Sequence, residues 1–168
     1  MSIRPLVAAA LSAAALSACA TAPYGPAAPA GAPGAFSERD FVWSQASGQG
    51  SIEGRVVYTQ NGRTFQCVGS AGLTPDTPYT RARFRILYGS TDRAALPAAV
   101  VRARGAGEVG ADYHTYVRST ACREGRFTFT GLPDGGWFLI VPVTAGEAPM
   151  VLMRHVETRG GRVVNVAL

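Results

Sequence analysis

The side chains with the most reactive chemistry in this chain are three cysteines and two histidines. A thiol can be acylated, oxidised to a disulfide or bound to a metal, and an imidazole can serve as a general base or a metal ligand. Cys19 lies near the amino terminus, whereas Cys67 and Cys122 lie far along the chain. His114 and His155 stand apart from all three thiols in sequence. The neighbours of each residue therefore decide which chemistry it can perform.

Cys19 closes a segment with the layout of a secretory signal. Arg4 supplies a positive charge, an apolar run follows, and small residues come next. The apolar run is too short for a stable membrane-spanning helix. The segment ends in Leu-Ser-Ala-Cys, which resembles the bacterial lipobox, and the resemblance implies that Cys19 becomes the fatty-acylated first residue of the mature protein. The alternative is an ordinary secretory signal cut after Ala18 or Ala20, with Cys19 incidental.

The residues after Cys19 indicate a membrane address and a linker. Ala20, rather than Asp, follows the cysteine, and in lipoproteins of two-membrane bacteria this resembles sorting to the outer membrane, facing the periplasm. Residues 20–35 are almost entirely Pro, Ala and Gly, a composition typical of an extended, solvated tether. We therefore divide the chain into a signal peptide (1–18), a lipidated cysteine with its tether (19–48) and a folded domain (49–168).

Cys67 and Cys122 remain after this assignment. An even number of thiols in an oxidising compartment predicts a disulfide. Closing the intervening loop of 55 residues would stabilise the fold by about 4 kcal/mol in the chain-entropy treatment. Two buried free thiols are an alternative, and a metal site with His114 or His155 is another, although no close ligand spacing supports it. We expect no metal and no cofactor.

Short segments rich in β-branched and aromatic residues, separated by Gly and Pro turns, predict an all-β antiparallel sandwich. Asn61-Gly62 is a strong hairpin signal between the first two segments, and 158–161 joins the last two as a second hairpin. The predicted strands cover residues 51–59, 63–68, 113–122, 126–130, 137–143, 150–157 and 162–168.

One stretch resembles a known family. It reads Gly125-x-Phe127-x-Phe129-x-Gly131-Leu132-Pro133-x-Gly135, followed by Trp137-x-Leu139-x-Val141. This resembles the carboxypeptidase-regulatory-like domain over residues 117–143, and weakly over 51–59, although Ala121-Cys122 replaces the family's Asp before the first turn. The resemblance implies a prealbumin-like or immunoglobulin-like sandwich of about seven strands. It places Phe127, Phe129, Trp137, Leu139 and Val141 in the core.

The same strand then presents Phe138, Ile140 and Pro142 to its other face. Three apolar side chains on an outer face need a cover, and the unmatched insertion at residues 71–111 is too long for a simple loop. Within it, residues 80–88 place apolar side chains at helical spacing, with Thr80 as N-cap, although the same residues also alternate as a strand. We predict a short helix laid over the outer face.

Catalytic motifs are absent from the sequence. Neither His114 nor His155 stands in a recognisable motif, there is no Gly-x-Ser-x-Gly elbow, and the carboxylates are scattered singly. The prealbumin-like hydrolase of 5-hydroxyisourate ends in Tyr-Arg-Gly-Ser, whereas this chain ends in residues 165–168, Asn-Val-Ala-Leu. A small hydrolase using His114 or His155 is retained as the alternative function.

Binding is the preferred function. Tyr79, Tyr88, Tyr113 and Tyr116, with Trp43, offer stacking surface for a glycan or peptide, although the same rings could pack the insertion. The net charge is +5 and all 16 basic residues are Arg, but only residues 81–85 group them densely, so we expect no nucleic-acid partner. The sequence predicts a membrane-anchored, non-catalytic envelope module whose partner is an envelope protein or glycan.

Overall fold

The computed structural model describes residues 34–106, 113–146 and 148–168. The predicted signal peptide, Cys19 and residues 20–33 of the predicted tether lie outside these residues. The described residues form two larger β-sheets that enclose a core, a separate two-stranded sheet, and helices on the outer side of one of the larger sheets. The all-β sandwich with a helical insertion is thus confirmed. None of the helices in the described part of the chain is long and apolar enough to cross a membrane.

The elements follow one another closely along the chain. The strands are β1 (Gly50–Arg55), β2 (Thr59–Gln60), β3 (Arg63–Thr64), β4 (Gln66–Cys67), β5 (Ser70–Pro75), β6 (Arg93–Pro97), β7 (Arg118–Ala121), β8 (Arg126–Leu132), β9 (Gly135–Thr144), β10 (Met150–Thr158) and β11 (Val163–Ala167). The α-helices are α1 (Pro78–Tyr88) and α2 (Ala98–Gly105), and 3-10 turns cover Glu38–Asp40, Val42–Gln45 and Tyr113–Tyr116.

The smaller sheet has three strands in the order β11-β1-β8. β1 runs antiparallel to β8 and parallel to β11, so the predicted all-antiparallel arrangement is wrong at this pair. Alternate residues of β1 face opposite sides. Ile52 and Gly54 are buried, whereas Glu53 and Arg55 are exposed on the outer face.

The larger sheet has six strands. Its order is β6-β10-β9-β5-β7, and β4 pairs with the end of β9. β9 is the central strand and is buried on both faces: Trp137, Leu139 and Val141 pack into the sandwich core, while Phe138 is fully buried on the opposite face. A strand covered on both faces has a nearly continuous run of apolar residues, as the sequence of β9 does.

The predicted inward-facing residues are confirmed. The core between the sheets contains Phe127, Phe129, Trp137, Leu139 and Val141. Trp137 is fully buried and donates from Nε1 to Oγ1 of Thr158 at 3.0 Å. A buried indole N–H needs such a partner, so this hydrogen bond removes the cost of burying the polar atom.

The predicted helical cover is also confirmed. Phe84, Leu87 and Tyr88 of α1 pack with Phe138 and Met153 of the larger sheet to form a second buried cluster. The rings of Phe84 and Phe138 meet edge to face with centroids 4.7 Å apart. Phe138 on the outer face of β9 is therefore buried beneath α1, whereas Ile140 and Pro142 on the same face are only partly buried.

The predicted N-cap is wrong by one turn, because Thr77 rather than Thr80 caps α1. Thr80 N donates to Thr77 Oγ1 at 3.1 Å, and Thr77 N donates to Thr80 Oγ1 at 2.9 Å, which completes a capping box. Pro78 occupies the first turn, where its missing N–H costs nothing. Gly89 ends the helix with φ of 72°.

The insertion at residues 71–111 does more than cover the sheet. β5 and β6 both lie within the larger sheet, and β5 pairs with β9 and β7. Ala71 and Leu73 are fully buried. Small residues and a terminal Pro give β5 little intrinsic strand preference, so its pairing depends on tertiary burial.

Both predicted hairpins need correction. Asn61 and Gly62 do form the expected turn, with φ of 51° and 73°, but it joins only the short β2 and β3. At the carboxyl end, β11 leaves β10 and pairs with β1 in the other sheet. Because β11 lies in the three-stranded sheet, Val166 is buried in the core between the two sheets. The predicted strand at 113–122 is shorter too, because Tyr113–Tyr116 is a 3-10 turn.

The predicted disulfide between Cys67 and Cys122 is present, with the Cα atoms 6.0 Å apart. Cys67 lies in β4, and Cys122 directly follows β7. The bond therefore links two segments of the larger sheet at the end of β9.

Candidate functional site

Three of the four predicted ligand-contacting tyrosines come together beside the start of α1. The ring centroids of Tyr79 and Tyr113 are 5.7 Å apart, and those of Phe41 and Tyr116 are 4.7 Å apart. Phe36 lies between the two pairs, 5.3 Å from Phe41 and 5.5 Å from Tyr79. These rings form one aromatic cluster that packs the first described residues against α1.

Tyr88 belongs instead to the cluster under α1, where it meets Phe84 at 5.3 Å. Only 8% of Tyr88 and 7% of Tyr113 are exposed to solvent. Burial, with a smaller contribution from Tyr113, raises the pKa of Tyr88 to about 12. Its hydroxyl therefore stays protonated at neutral pH.

Trp43 is also used for packing, at 4.9 Å from Trp137. A groove of about 270 Å³ runs beside the tyrosines. The exposed ring in it is that of His114, stacked on Tyr113 at 4.3 Å. Its lining includes Gly72, Thr74, Tyr88, Tyr113, His114 and Ile140. Most of this ring surface already serves the core, and contact of the tyrosines with a ligand stays a prediction.

His155 lies in a polar cluster between the larger sheet and α1. Its Nε2 is 2.7 Å from Oδ2 of Asp76, and Arg81 forms an ion pair with the same carboxylate oxygen. The side chain of Asp76 is only 5% exposed. A Cβ on Gly136 would lie 2.8 Å from Asp76 Oδ2 and 3.1 Å from His155 Nε2, so the missing side chain makes room for the pair.

A hydrolase site would need Arg154, His155 or His114 to converge in one concavity, and these side chains lie apart. Arg154 donates from Nη1 to the carbonyl of Ala167 at 3.0 Å, on the opposite face of β10 from His155. His114 lies in the tyrosine groove. In the described part of the chain, no serine or cysteine side chain is hydrogen-bonded to either histidine, and no three metal-ligating side chains cluster. The second carboxylate oxygen of Asp76 is buried without a hydrogen bond.

A larger concavity than this groove lies elsewhere, on the outer face of the three-stranded sheet. This trough has a volume of about 450 Å³ and crosses all three strands. The strand register places Asn165, Glu53 and Thr128 side by side in one row. The next row consists of Ala167, Arg55 and Arg126. Directly opposed residues on one face have Cβ atoms about 5 Å apart, so each row presents adjacent side chains.

The polar side chains of the trough are unused within the described residues. Glu53, Arg55, Arg126, Thr128 and Asn165 are all exposed, and none makes a side-chain hydrogen bond or ion pair in the ranges given above. Arg55 and Arg126 stand directly opposite each other, an arrangement that costs free energy because like charges repel. The trough therefore combines an amide, a carboxylate, a hydroxyl and two adjacent guanidinium groups on rigid strands.

Sequence reasoning missed this trough. The signal within each strand was visible, because outward positions alternate with Ile52 and Gly54 in β1 and with Phe127 and Phe129 in β8. The missing information was the pairing of β11 with β1, which places Asn165 beside Glu53.

No family model matches the chain, and no curated protein is detectably similar to it in sequence. Among solved structures, the chain is similar to a protein from Pseudomonas aeruginosa that has been proposed to bind carbohydrate. The superposition has a TM-score of 0.58 with 21% sequence identity, and it covers 79% of this chain and 96% of the other. At this identity the likeness establishes a shared fold.

Proposed function

We propose that the protein is a lipid-anchored, non-catalytic module of the bacterial envelope that binds glycans carrying carboxylate groups in the trough of the three-stranded sheet. The lipobox resemblance at Cys19 supports the anchor and the outer-membrane location. The motif at residues 125–141 and the sandwich architecture favour a carboxypeptidase-regulatory-like domain.

The observation that carries the binding role is the set of polar side chains in the trough that have no partner within residues 34–106, 113–146 and 148–168. Sugar hydroxyls both donate and accept hydrogen bonds, and the row of Asn165, Glu53 and Thr128 offers both kinds of partner. Arg55 and Arg126 match a carboxylate, because a guanidinium binds such a group through paired N–H donors. A bound anion would also relieve the repulsion between the two cations.

The structural neighbour adds support from the fold. A protein of similar architecture has been proposed to bind carbohydrate, and its proposed role agrees with the polar trough. Folds host many functions, however, and the site must carry the argument. Arg55 and Arg126 are adjacent and have no side-chain partner among the described residues, and they support the proposal more strongly than the likeness does.

The alternative function, a hydrolase using His155 or His114, has weaker support. His155 and Asp76 form a partly buried pair of the kind that orients a general base. A nucleophile beside His155 would be needed to use that base, and no serine or cysteine side chain within the described residues is bonded to it. We interpret the pair with Arg81 as a polar contact that fixes the start of α1 on the sheet.

Calorimetric titration with soluble peptidoglycan fragments, which carry free carboxylates, tests the proposal. We expect binding by the wild-type protein and a loss of about tenfold or more in the double variant Arg55→Gln/Arg126→Gln, because two charge-assisted hydrogen bonds are removed. The control Arg39→Gln/Arg162→Gln makes the same change in net charge at exposed residues that do not line the trough and should retain binding.

A second readout distinguishes a binding role from a structural one. Removing the opposed guanidinium groups should leave the free energy of unfolding unchanged or slightly raised, because repulsion is relieved. Equal losses of binding in both double variants, or no binding of peptidoglycan or envelope polysaccharide by the wild type, would refute the proposal. Mass spectrometry of the native protein tests the anchor separately, with a diacylglyceryl group on Cys19 as the expected result.

A further inference from the structure

The helical layer differs from the rest of the molecule in its charge. α1 carries Arg81, Arg83 and Arg85, α2 carries Arg102 and Arg104, and neither helix contains an acidic residue. The remaining described residues carry ten Arg and eight acidic residues, so charges of both signs are interspersed there. A layer with one sign of charge attracts an oppositely charged surface.

Two of these arginines are exposed and uncommitted. Arg85 and Arg102 make no side-chain hydrogen bond or ion pair within the described part of the chain. Arg81 is paired with Asp76, and Arg104 donates from Nη1 to the carbonyl of Leu87 at 3.0 Å. Arg85 and Arg102 therefore present exposed positive charge that no partner among the described residues holds.

An apolar side chain lies beside this charge. Ile86 of α1 is 57% exposed, although the same helix buries Phe84 and Leu87. Basic residues flanking an exposed apolar side chain are typical of surfaces that lie on anionic membranes: the charges meet lipid headgroups and the apolar group enters the interface. The exposed residues Arg85 and Ile86 of α1 and Arg102 of α2 are together called the helical face below.

The chain also enters the described structure on the helical side. A Cβ on Gly34 would lie 3.0 Å from the Cβ of Ala82 in α1, and Phe36 contacts Tyr79 of the same helix. Gly34 is only fifteen residues beyond Cys19, so the anchor can lie at most about 50 Å from α1. A lipid at Cys19 would hold the entry point of the chain, which lies on the helical side, within this reach of the membrane.

We propose that the helical face docks on the anionic lipid headgroups of the membrane that holds the protein, leaving the trough of the three-stranded sheet directed away from it. The orienting role rests on the proposed anchor at Cys19, but the affinity of the helical face for anionic lipid does not. The occupant of this face is the bilayer surface itself.

Vesicle flotation of the mature chain (residues 19–168) with Cys19→Ser, which has no lipid, tests the proposal. The vesicles contain phosphatidylglycerol and phosphatidylethanolamine in equal parts, or phosphatidylcholine alone. We expect binding to the anionic vesicles only, weakening as salt screens the charges. Each arginine near an anionic surface contributes about fivefold in affinity, so Arg85→Gln/Arg102→Gln should weaken binding by more than about tenfold.

Two matched variants separate the helical face from net charge. Arg123→Gln/Arg162→Gln removes the same charge from exposed turns of the other elements and should weaken binding by less than about threefold. Ile86→Ser, with Arg85 and Arg102 intact, should weaken it by a smaller factor than the double arginine change. Circular dichroism should show all these surface variants to be folded.

No binding to anionic vesicles, or equal losses from the two double arginine variants, would overturn the helical-face proposal. The glycan assay remains independent, because Arg85→Gln/Arg102→Gln leaves the trough intact and should bind peptidoglycan fragments as the wild type does. A failure of glycan binding with vesicle binding retained would instead refute the proposed function alone.

Discussion

The two sheets of the sandwich share one core, but one outer face is covered and the other is open to solvent. The six-stranded sheet presents Phe138 outward, and α1 covers it completely. The three-stranded sheet presents Glu53, Arg55 and Arg126 outward, and nothing among the described residues covers them. The outward residue of each strand thus decides whether a face becomes a second core or an open surface.

This difference separates stability from binding within one small fold. Apolar groups buried on both sides of β9 contribute free energy of folding. Polar groups left exposed on β1 and β8 contribute little to stability and remain available to a ligand. We therefore expect substitutions on the two outer faces to have different consequences.

The largest expected contrast is between Phe138 and Thr128, which face outward on the two sheets. Phe138→Ala should lower the free energy of unfolding by about 3–5 kcal/mol because it leaves a cavity between β9 and α1. Thr128→Ala should cost less than about 1 kcal/mol, the range of strand preference alone. Urea denaturation measures both. Similar values for the two variants would break the distinction between a covered and an open face.

The disulfide is expected to matter for the larger sheet and not for the trough. Cys67→Ser/Cys122→Ser should lower the free energy of unfolding by up to about 4 kcal/mol, since the unfolded chain regains the freedom of the closed loop. Reduction of the wild type should reproduce this loss. Glycan binding below the new unfolding midpoint should persist, and its disappearance would show that the trough depends on the bond.

The burial of Tyr88 under α1 predicts a stability change at high pH. The unfolded tyrosine releases its proton near pH 10.0, whereas the folded one holds it to a pKa of about 12. Between these values the unfolded state binds fewer protons, so stability falls as pH rises, by about 2–3 kcal/mol in total. In Tyr88→Phe, the free energy of unfolding measured by urea denaturation should lack this loss between pH 10 and pH 12. Parallel pH profiles for the two proteins would contradict the assignment.

Alanine substitutions at one glycine in each sheet compare the packing of the two sheets through smaller changes in stability. A Cβ on Gly54 of β1 would lie 1.9 Å from Cζ of Phe127, whereas a Cβ on Gly72 of β5 would have no heavy atom closer than 3.8 Å. Gly54→Ala should therefore destabilise the protein by about 1–3 kcal/mol through overpacking. Gly72→Ala should be neutral or slightly stabilising. The two melting temperatures check this order, and a reversed order would contradict the packing of β1 on β8.

The fold was predictable where local pattern and burial agree. The alternation of Phe127 with Phe129, and the apolar outer face at Phe138, predict the core and the helical cover correctly. β5 escaped prediction because Ala71 and Leu73 acquire their strand pairing from burial between β9 and β7. The carboxyl-terminal hairpin failed because the turn at Gly160 and Gly161 signals a reversal without specifying which sheet receives β11.

The candidate site was harder to predict than the fold. Tyr113 and Tyr88 were chosen for their residue type, yet packing uses most of their ring surface. The trough joins residues from β1, β8 and β11, which are distant in sequence. Its rows exist only through strand register, which no single strand encodes.

The most direct test of the account is an amide chemical-shift titration of the labelled domain with carboxylate-bearing peptidoglycan fragments. We expect the shifts to concentrate at Glu53, Arg55, Arg126, Thr128 and Asn165, and to disappear in Arg55→Gln/Arg126→Gln. Shifts centred instead on Tyr113 and His114 in the tyrosine groove, or no shifts anywhere, would contradict the claim that the open three-stranded sheet is the binding surface.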